Sequence, residues 1–393
     1  MAKDLEHKPG QSGGASPADT ASVLPSATGV LTVDLGAIQR NYRKLCAAVA
    51  PAECAGVVKA DAYGLGLRRV VPALAAAGCR TFFVATLAEA RRLREVEPAA
   101  RLYVLDGLFP GTRDAFEAIG ARPVLSSLDE LEEWAASSSG AHPAALHIDT
   151  GMNRLGVKPG DFATLIAGLS RLPATTPVDL VISHLACADT PEHEKNAAQL
   201  AAFSRMTAQL PAMRRSLANS AGCFLGPDYA FDLARPGIAL YGGNPFATRQ
   251  NPMEPVIRLQ GRIAQLGEAE SGETVGYGAA KTLKRRTRYA TVTTGYADGY
   301  ARVLGSDGQR EGAIAHLDGH VLPILGLVSM DLIVFDITDL PEGVAKRGAM
   351  VDLIDARFTI DDVAACAGTI PYEVLTSLGQ RFQRIYTGLE TGE

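Results

Sequence analysis

Residues 29–252 alternate between short apolar stretches and longer amphipathic ones, which limits the folds open to this chain. The amphipathic stretches, such as 87–96, 127–135 and 193–210, have the apolar spacing of helices. Eight strands separated by helices over about 200 residues are typical of a (β/α)8 barrel of the TIM type. A doubly wound open sheet is the alternative. The strands are predicted at residues 55–59, 81–85, 102–105, 123–125, 145–149, 180–184, 216–219 and 238–241.

Chemically versatile residues stand where several of these predicted strands end. In a barrel the C-terminal ends of the strands meet on one face, where catalytic side chains collect. The sequence therefore predicts one site on that face. The residues are Lys59 after the first strand, Asp149 to Arg154 after the fifth, His184 after the sixth, Asn219 and Ser220 after the seventh, and Arg235, Gly237 and Ile238 at the eighth.

Composition changes on either side of the barrel. Residues 1–28 are rich in Gly, Ser, Pro, Ala and Thr, which predicts a disordered tail. Residues 253–393 contain short alternating stretches separated by glycines, which predicts a mainly β domain. The barrel is assigned to residues 29–252, and a strand at 30–33 belongs either to it or to the β domain.

The overall composition excludes several classes of protein. A net charge of −5 without a long basic run argues against nucleic acid and anionic membranes as partners. The six cysteines form no CxxC pair, and no apolar stretch has the length of a membrane span or a signal peptide. We therefore expect a cytoplasmic protein with free thiols. His316 and His320 flank a glycine turn, so no metal site is expected.

The segment 57–66, VVKADAYGLG, is the most informative one. A lysine at the end of a buried apolar strand is poorly solvated, which lowers its pKa and makes it available as an amine nucleophile or base. The flanking glycines allow the backbone to approach an anionic group. The alternative for Lys59 is a side chain that extends into solvent.

Taken together, the ordered blocks of residues 29–386 resemble the alanine racemase family. The resemblance implies a homodimer of barrel-plus-β subunits that binds pyridoxal 5'-phosphate (PLP) and interconverts L- and D-alanine, supplying D-alanine for peptidoglycan. The blocks are 58–66, 149–156, 184–186, 219–222, 235–242, 276–278, 295–299, 329–331 and 371–374.

The same resemblance implies a role for each site residue. Lys59 carries PLP as a Schiff base and is one catalytic base, and Tyr277 of the partner subunit is the other. In isolation, the alternatives are a packed turn aromatic for Tyr277, a surface ion pair for Arg235 and a core histidine for His184. The remaining implied roles are Arg235 at the pyridine nitrogen, Tyr63, Ser220, Gly237 and Ile238 at the phosphate, His184 and Asn219 beside the cofactor, Arg154 and the partner's Met330 at the substrate carboxylate, and His147 and Asp331 as supporting residues.

Racemisation explains why two bases and a cofactor are needed. The α-proton of an amino acid is too weakly acidic for a side-chain base alone, and PLP is the usual electron sink. One base removes the proton from one face while the second returns a proton to the other. Since an arginine stays protonated, Arg235 keeps the pyridine nitrogen unprotonated and weakens that sink, as suits a racemase.

Three positions depart from the best-known family pattern. His147 stands where many members have a carbamylated lysine that supports the substrate-binding arginine. We therefore predict no carbamate, with Arg154 supported by His147, another residue or a bound anion. Gln380 and Leu327 replace a tyrosine and an arginine of some relatives near the entrance, which leaves the breadth of substrates open.

Three alternative functions follow from these observations. The nearest is a broad-specificity or serine racemase. A barrel decarboxylase of the same PLP class would need a Gly-Gly-Gly phosphate loop, which the sequence lacks. A non-catalytic PLP carrier is of a different class, and it has no need of a second domain carrying Tyr277.

Overall fold

The computed structural model describes residues 23–136, 142–172 and 177–388. Most of the predicted tail, residues 1–22, lies outside these ranges. Residues 23–28 lie against the β domain, because the Leu24 amide donates to Gln383 Oε1 (2.9 Å) and Arg262 Nε donates to the Ala27 carbonyl (2.7 Å).

Seven parallel strands follow one another in sequence order and form most of a barrel. They are nearly continuous apolar runs, and all of Thr81–Val84 is buried, as expected for strands covered on both faces. The seven strands are Gly56–Val57, Thr81–Val84, Arg101–Val104, Arg122–Leu125, Ala144–His147, Val178–Ile182 and Arg214–Ser216.

The eighth strand lies at Leu233–Ala234, so the prediction of a strand at 238–241 was wrong. Leu233–Ala234 pairs in parallel with Glu53–Cys54, and the Arg235 amide donates to the Ala218 carbonyl (2.9 Å). The Val57 amide donates to the Pro236 carbonyl (3.1 Å), which closes the ring between the last and first strands. Ile238–Tyr241 is instead a buried 3-10 helix, and a short apolar run does not distinguish it from a strand.

Helices surround the barrel, and four of those described begin at side-chain caps. Asp34 accepts from the Ala37 amide (2.9 Å), as predicted, and Ser127 caps its helix through the Glu130 amide (3.2 Å). The helices are Leu35–Val49, Leu67–Ala76, Leu87–Val96, Arg113–Ile119, Leu128–Ala135, Phe162–Leu169, Glu194–Thr207 and Pro227–Ala230, with 3-10 turns at Pro159–Asp161 and Gly222–Phe224.

A second, mainly β part is built on the long strand Ile257–Ala269, whose buried and exposed residues alternate. Gly29–Asp34 pairs with this strand and with Gln383–Thr387, so it lies in the second sheet rather than in the barrel. The other elements are the strands Thr274–Val275, Lys281–Thr282, Thr287–Val292, Ile314–Leu317, His320–Pro323, Ile333–Asp336 and Met350–Ile354, the helices Ile360–Ala367 and Pro371–Ser377, and the 3-10 turns Tyr277–Ala279, Tyr296–Asp298 and Arg302–Leu304.

The fold class predicted from the sequence, a barrel followed by a β domain, is confirmed. None of the helices in the described ranges combines the length and apolar character needed to cross a bilayer.

Candidate active site

A cavity of about 440 Å³ opens at the C-terminal ends of the barrel strands. Residues from five separate predicted blocks of the barrel meet there, although the chain separates them by up to 179 positions (59 to 238). Of the residues predicted from the sequence, it is lined by Lys59, Tyr63, His147, Arg154, His184, Asn219, Ser220, Arg235, Gly237 and Ile238.

Lys59 begins a five-residue turn, Lys59–Tyr63, that is left-handed after its first residue. Ala60, Asp61, Ala62 and Tyr63 have φ between 53° and 57°, and each such residue costs about 1–2 kcal/mol. Two carboxylates hold the turn, because Glu89 Oε1 accepts from the Ala60 amide (2.6 Å) and Asp61 Oδ1 from the Leu67 amide (2.9 Å). The fold thus fixes a strained backbone directly after the lysine.

The surroundings of Lys59 lower its pKa. Burial lowers its pKa, and the positive charge of Arg154 lowers it further. The carboxylates of Asp106 and Glu89 act in the opposite direction, and the net shift is downward. A lysine with a lowered pKa at a cavity wall is suited to nucleophilic or general-base chemistry.

Arg235 is buried at the bottom of the cavity. Its Nη2 donates to the Ser183 carbonyl (2.5 Å) and its Nη1 to Ser216 Oγ. Burial lowers its pKa to about 10, so that the guanidinium keeps its charge at neutral pH. The structure therefore excludes the alternative of a surface ion pair for Arg235.

One wall of the cavity offers donors to an anion. Tyr63 Oη and the Ile238 amide have no hydrogen-bond partner in the part of the chain that the structure describes. Gly237 leaves room for them, since a Cβ at this position would lie 2.1 Å from Tyr63 Oη. Its amide already donates to Ser220 Oγ (2.8 Å). With Arg235, Arg154 and Lys59 nearby, this wall fits an anionic group such as a phosphate.

Two histidines in the cavity are uncharged at neutral pH. Burial, together with the positive charges of Arg235 and Arg154, lowers the pKa of His184 to about 3. Burial and the Arg235 charge lower the pKa of His147 to about 4. The Nδ1 atom of His147 lies 3.4 Å from Ser126 Oγ.

These shifts predict that the free energy of unfolding falls as the pH falls from about 6.5 to about 4. Over this range the unfolded chain protonates both histidines while the folded chain does not, at up to about 1.4 kcal/mol per pH unit for each. Urea unfolding at pH 7, 6 and 5 measures the slope, which should decrease in His184→Asn and stay unchanged in His320→Gln, where the histidine is exposed. An equal slope in both variants would contradict the prediction.

Arg154 reaches the cavity from the loop after the fifth strand. Its side chain is exposed and makes no hydrogen bond or ion pair with any residue in the described ranges. His147 lines the same cavity but forms no hydrogen bond with Arg154, so the support of Arg154 by His147 stays a prediction.

Tyr277, Met330 and Asp331 do not line this cavity. They lie on the surface of the second domain, where the side chains of Tyr277 and Met330 are 68% and 53% exposed. Arg381 Nη1 donates to Asp331 Oδ1 (2.8 Å), while its Nε and Nη2 bond to the buried Asp298. A single chain therefore does not bring Lys59 and Tyr277 together.

Two polar residues of the cavity, Tyr372 and Asp106, were not predicted as site residues. Tyr372 lies in one of the quoted blocks, with its ring centroid 6.0 Å from that of Tyr63, so its block was a usable signal. Asp106 directly follows the predicted strand 102–105, so its position at the C-terminal end of a barrel strand would have placed it in the site, as it did Lys59. Gln380 does not line the cavity, and its Oε1 accepts from Arg384 Nη1 (3.2 Å).

In the described part of the chain, no group of three or more His, Cys, Asp or Glu side chains is arranged to hold a metal. Its six cysteines are all free.

The fold and the cavity together define a class of protein. The chain is a barrel followed by a β domain, and its cavity holds a lysine of lowered pKa, a buried arginine and an anion-binding wall. These features are those of a two-domain protein that acts through a lysine in the barrel.

Comparison with known proteins identifies the family within that class. Residues 33–245 match the model of the alanine racemase N-terminal domain, and residues 256–386 match that of the C-terminal domain. The chain therefore belongs to the alanine racemase family.

Individual relatives are similar in sequence to this protein over more than 90% of its length. It is 49% identical to an alanine racemase of Rhodospirillum rubrum, covering 93% of this chain and 98% of the relative. It is 47% identical to a biosynthetic alanine racemase of Agrobacterium fabrum, covering 91% and 93%. The crystal structure of a Bartonella henselae alanine racemase with covalently bound pyridoxal phosphate superimposes with a TM-score of 0.86 at 40% identity, over 92% of this chain and all of that one.

Proposed function

We propose that this protein binds PLP through Lys59 and interconverts L-alanine and D-alanine. The observation that carries the proposal is the cavity in which Lys59, of lowered pKa, faces Arg235 and a wall of unused hydrogen-bond donors. The relatives named alanine racemase support the reaction, and the Bartonella structure supports the cofactor.

The residues present fit PLP on chemical grounds. Tyr63, Ser220 and the amides of Gly237 and Ile238 would hold the phosphate, and Arg235 would face the pyridine nitrogen with a fixed positive charge. His184 and Asn219 would contact the cofactor from the side. When bound, PLP supplies a sink for the electrons released at Cα.

The reaction then needs two proton carriers and a carboxylate anchor. Lys59 accepts the α-proton on one face as an unprotonated amine and returns a proton to that face as an ammonium group. Tyr277 of the partner subunit serves the other face, because in its own chain it lies away from the cavity. Arg154 and the partner's Met330 hold the substrate carboxylate, with His147 and Asp331 as supporting residues.

These roles require a homodimer with two shared sites. We propose that the barrel, residues 29–252, carries the cofactor, and that residues 253–393 complete the partner's site. We further propose a cytoplasmic enzyme that supplies D-alanine for peptidoglycan. The free cysteines and the relative named as biosynthetic support this assignment.

The test is α-proton exchange and the enantiomer ratio of L-alanine in D2O, with purified PLP-loaded protein. We expect deuterium at Cα together with D-alanine. L-Serine, measured side by side, should react more slowly, and equal rates would favour a broad-specificity racemase. Exchange without inversion would remove Tyr277 from its role, and no exchange with either amino acid would leave the PLP carrier.

A further inference from the structure

The loop that carries Arg154 is closed at its base by backbone bonds. Ile148 forms a bridge to Val157, and the Val157 amide donates to the His147 carbonyl (2.8 Å). Gly156 allows this close return, because a Cβ there would lie 2.8 Å from the Asp149 nitrogen. Arg154 lies within the segment between these fixed points.

Asp149 organises the rest of the loop. Its side chain is 2% exposed, and its oxygens accept from the amides of Gly151 (2.8 Å), Met152 (2.9 Å) and Asn153 (3.1 Å). Burial raises the pKa of this carboxyl, but the hydrogen bonds from Lys158 and from the three amides outweigh burial and lower it. A full negative charge is therefore buried beside the loop.

Lys158 is the cation that balances this charge. Its Nζ donates to Asp149 Oδ2 and also to Asn153 Oδ1 (3.0 Å), the residue directly before Arg154. Asn153 has φ of 58°, a left-handed conformation that the second bond helps to hold. Arg154 is the nearest other cation in the loop sequence, and it stays without a partner in the described ranges.

We propose that Lys158 is a positioning residue for substrate binding, because it neutralises Asp149 and so leaves the Arg154 guanidinium free for the substrate carboxylate. Without Lys158, the buried Asp149 carboxylate lacks its counter-charge, and Arg154, five residues further along the same loop and without a partner in the described ranges, is a cation that can replace it. Arg154 would then turn from the cavity toward Asp149. This inference rests on the proposed function, in which Arg154 binds that carboxylate.

The test compares Lys158→Met with a matched control, Arg205→Met. Lys158 and Arg205 both line a second cavity of about 550 Å³, separate from the cavity of Lys59. Unlike Lys158, Arg205 bonds to no residue of the loop within the described chain. We expect the KM for alanine to rise about tenfold in Lys158→Met, with kcat within about twofold of the wild type. Both constants should stay unchanged in Arg205→Met.

A second variant separates the charge from the shape of the loop. In Asp149→Asn/Lys158→Met the buried charge is gone while an oxygen remains for the amides, so the KM should return to within about threefold of the wild type. A KM as high as in Lys158→Met alone would overturn the proposal, as would an unchanged KM in Lys158→Met. If Lys158→Met does not fold, the KM of Asp149→Asn/Lys158→Met is compared with that of the wild type instead. A KM ten times higher in this double variant than in the wild type would overturn the proposal.

Deuterium uptake by the amides of residues 150–155, without substrate, provides a readout independent of activity. Uptake should be faster in Lys158→Met than in the wild type and in Arg205→Met. Equal uptake in all three would overturn the positioning of the loop. A wild type that does not racemise alanine would refute the proposed function, whereas the uptake measurement would still decide whether Lys158 holds the loop.

Discussion

Lys59→Ala is expected to lower alanine racemisation by about a thousandfold or more. The variant loses one of the two proton carriers, and general acid–base groups contribute about 10²–10⁴-fold each. It also loses the amine that would bind PLP covalently. Initial rates in both directions, from L- and from D-alanine, measure the effect, and both should fall together because each direction uses both carriers.

The mass of the protein gives an independent test of the same residue. After reduction with borohydride, the wild type should retain the mass of the cofactor, and Lys59→Ala should not. Lys44→Ala is the matched control, since Lys44 is exposed on the helix Leu35–Val49 and should behave as the wild type in both assays. Retained activity, or retained covalent cofactor, in Lys59→Ala would refute the role of this lysine.

Most of the barrel was predictable from the sequence because its strands are buried on both faces. Seven predicted strands overlap the observed ones, and the first, Gly56–Val57, ends two residues before Lys59. The eighth was missed because Leu233–Ala234 is only two residues long, whereas the longer apolar run Ile238–Tyr241 is a buried 3-10 helix. Buried strands and buried helices both consist of apolar residues, so a short apolar run does not show which of the two a segment forms.

The grouping of the site residues was also predictable, since strand ends meet on one face of a barrel. The conformation that presents them was not. The left-handed turn after Lys59 contains no glycine in its strained positions, so local propensity argues against it, and one of the carboxylates that hold it, Glu89, is distant in the sequence. The pairing of Lys158 with Asp149 likewise depends on a loop that returns on itself, which no periodic pattern records.

Tyr277→Phe is expected to lower racemisation by about 10²–10⁴-fold while PLP stays bound. The hydroxyl is the only group removed, and it belongs to a side chain that is 68% exposed in its own chain, so the stability of the fold should not change. Exchange of the α-proton in D2O should persist for the enantiomer whose proton faces Lys59 and fall for the other. Tyr229→Phe, on the outside of the barrel, serves as the control.

Mixing the two inactive variants tests whether the site is shared. A dimer of one Lys59→Ala chain and one Tyr277→Phe chain would contain one site that lacks both groups and one that has both intact. If the subunits reassort at random, half of the dimers are mixed, and about a quarter of the wild-type activity should return. If Tyr277 served Lys59 of its own chain, every site would lack one group and mixing would restore nothing. Because a single chain holds Tyr277 outside the cavity of Lys59, we expect recovery.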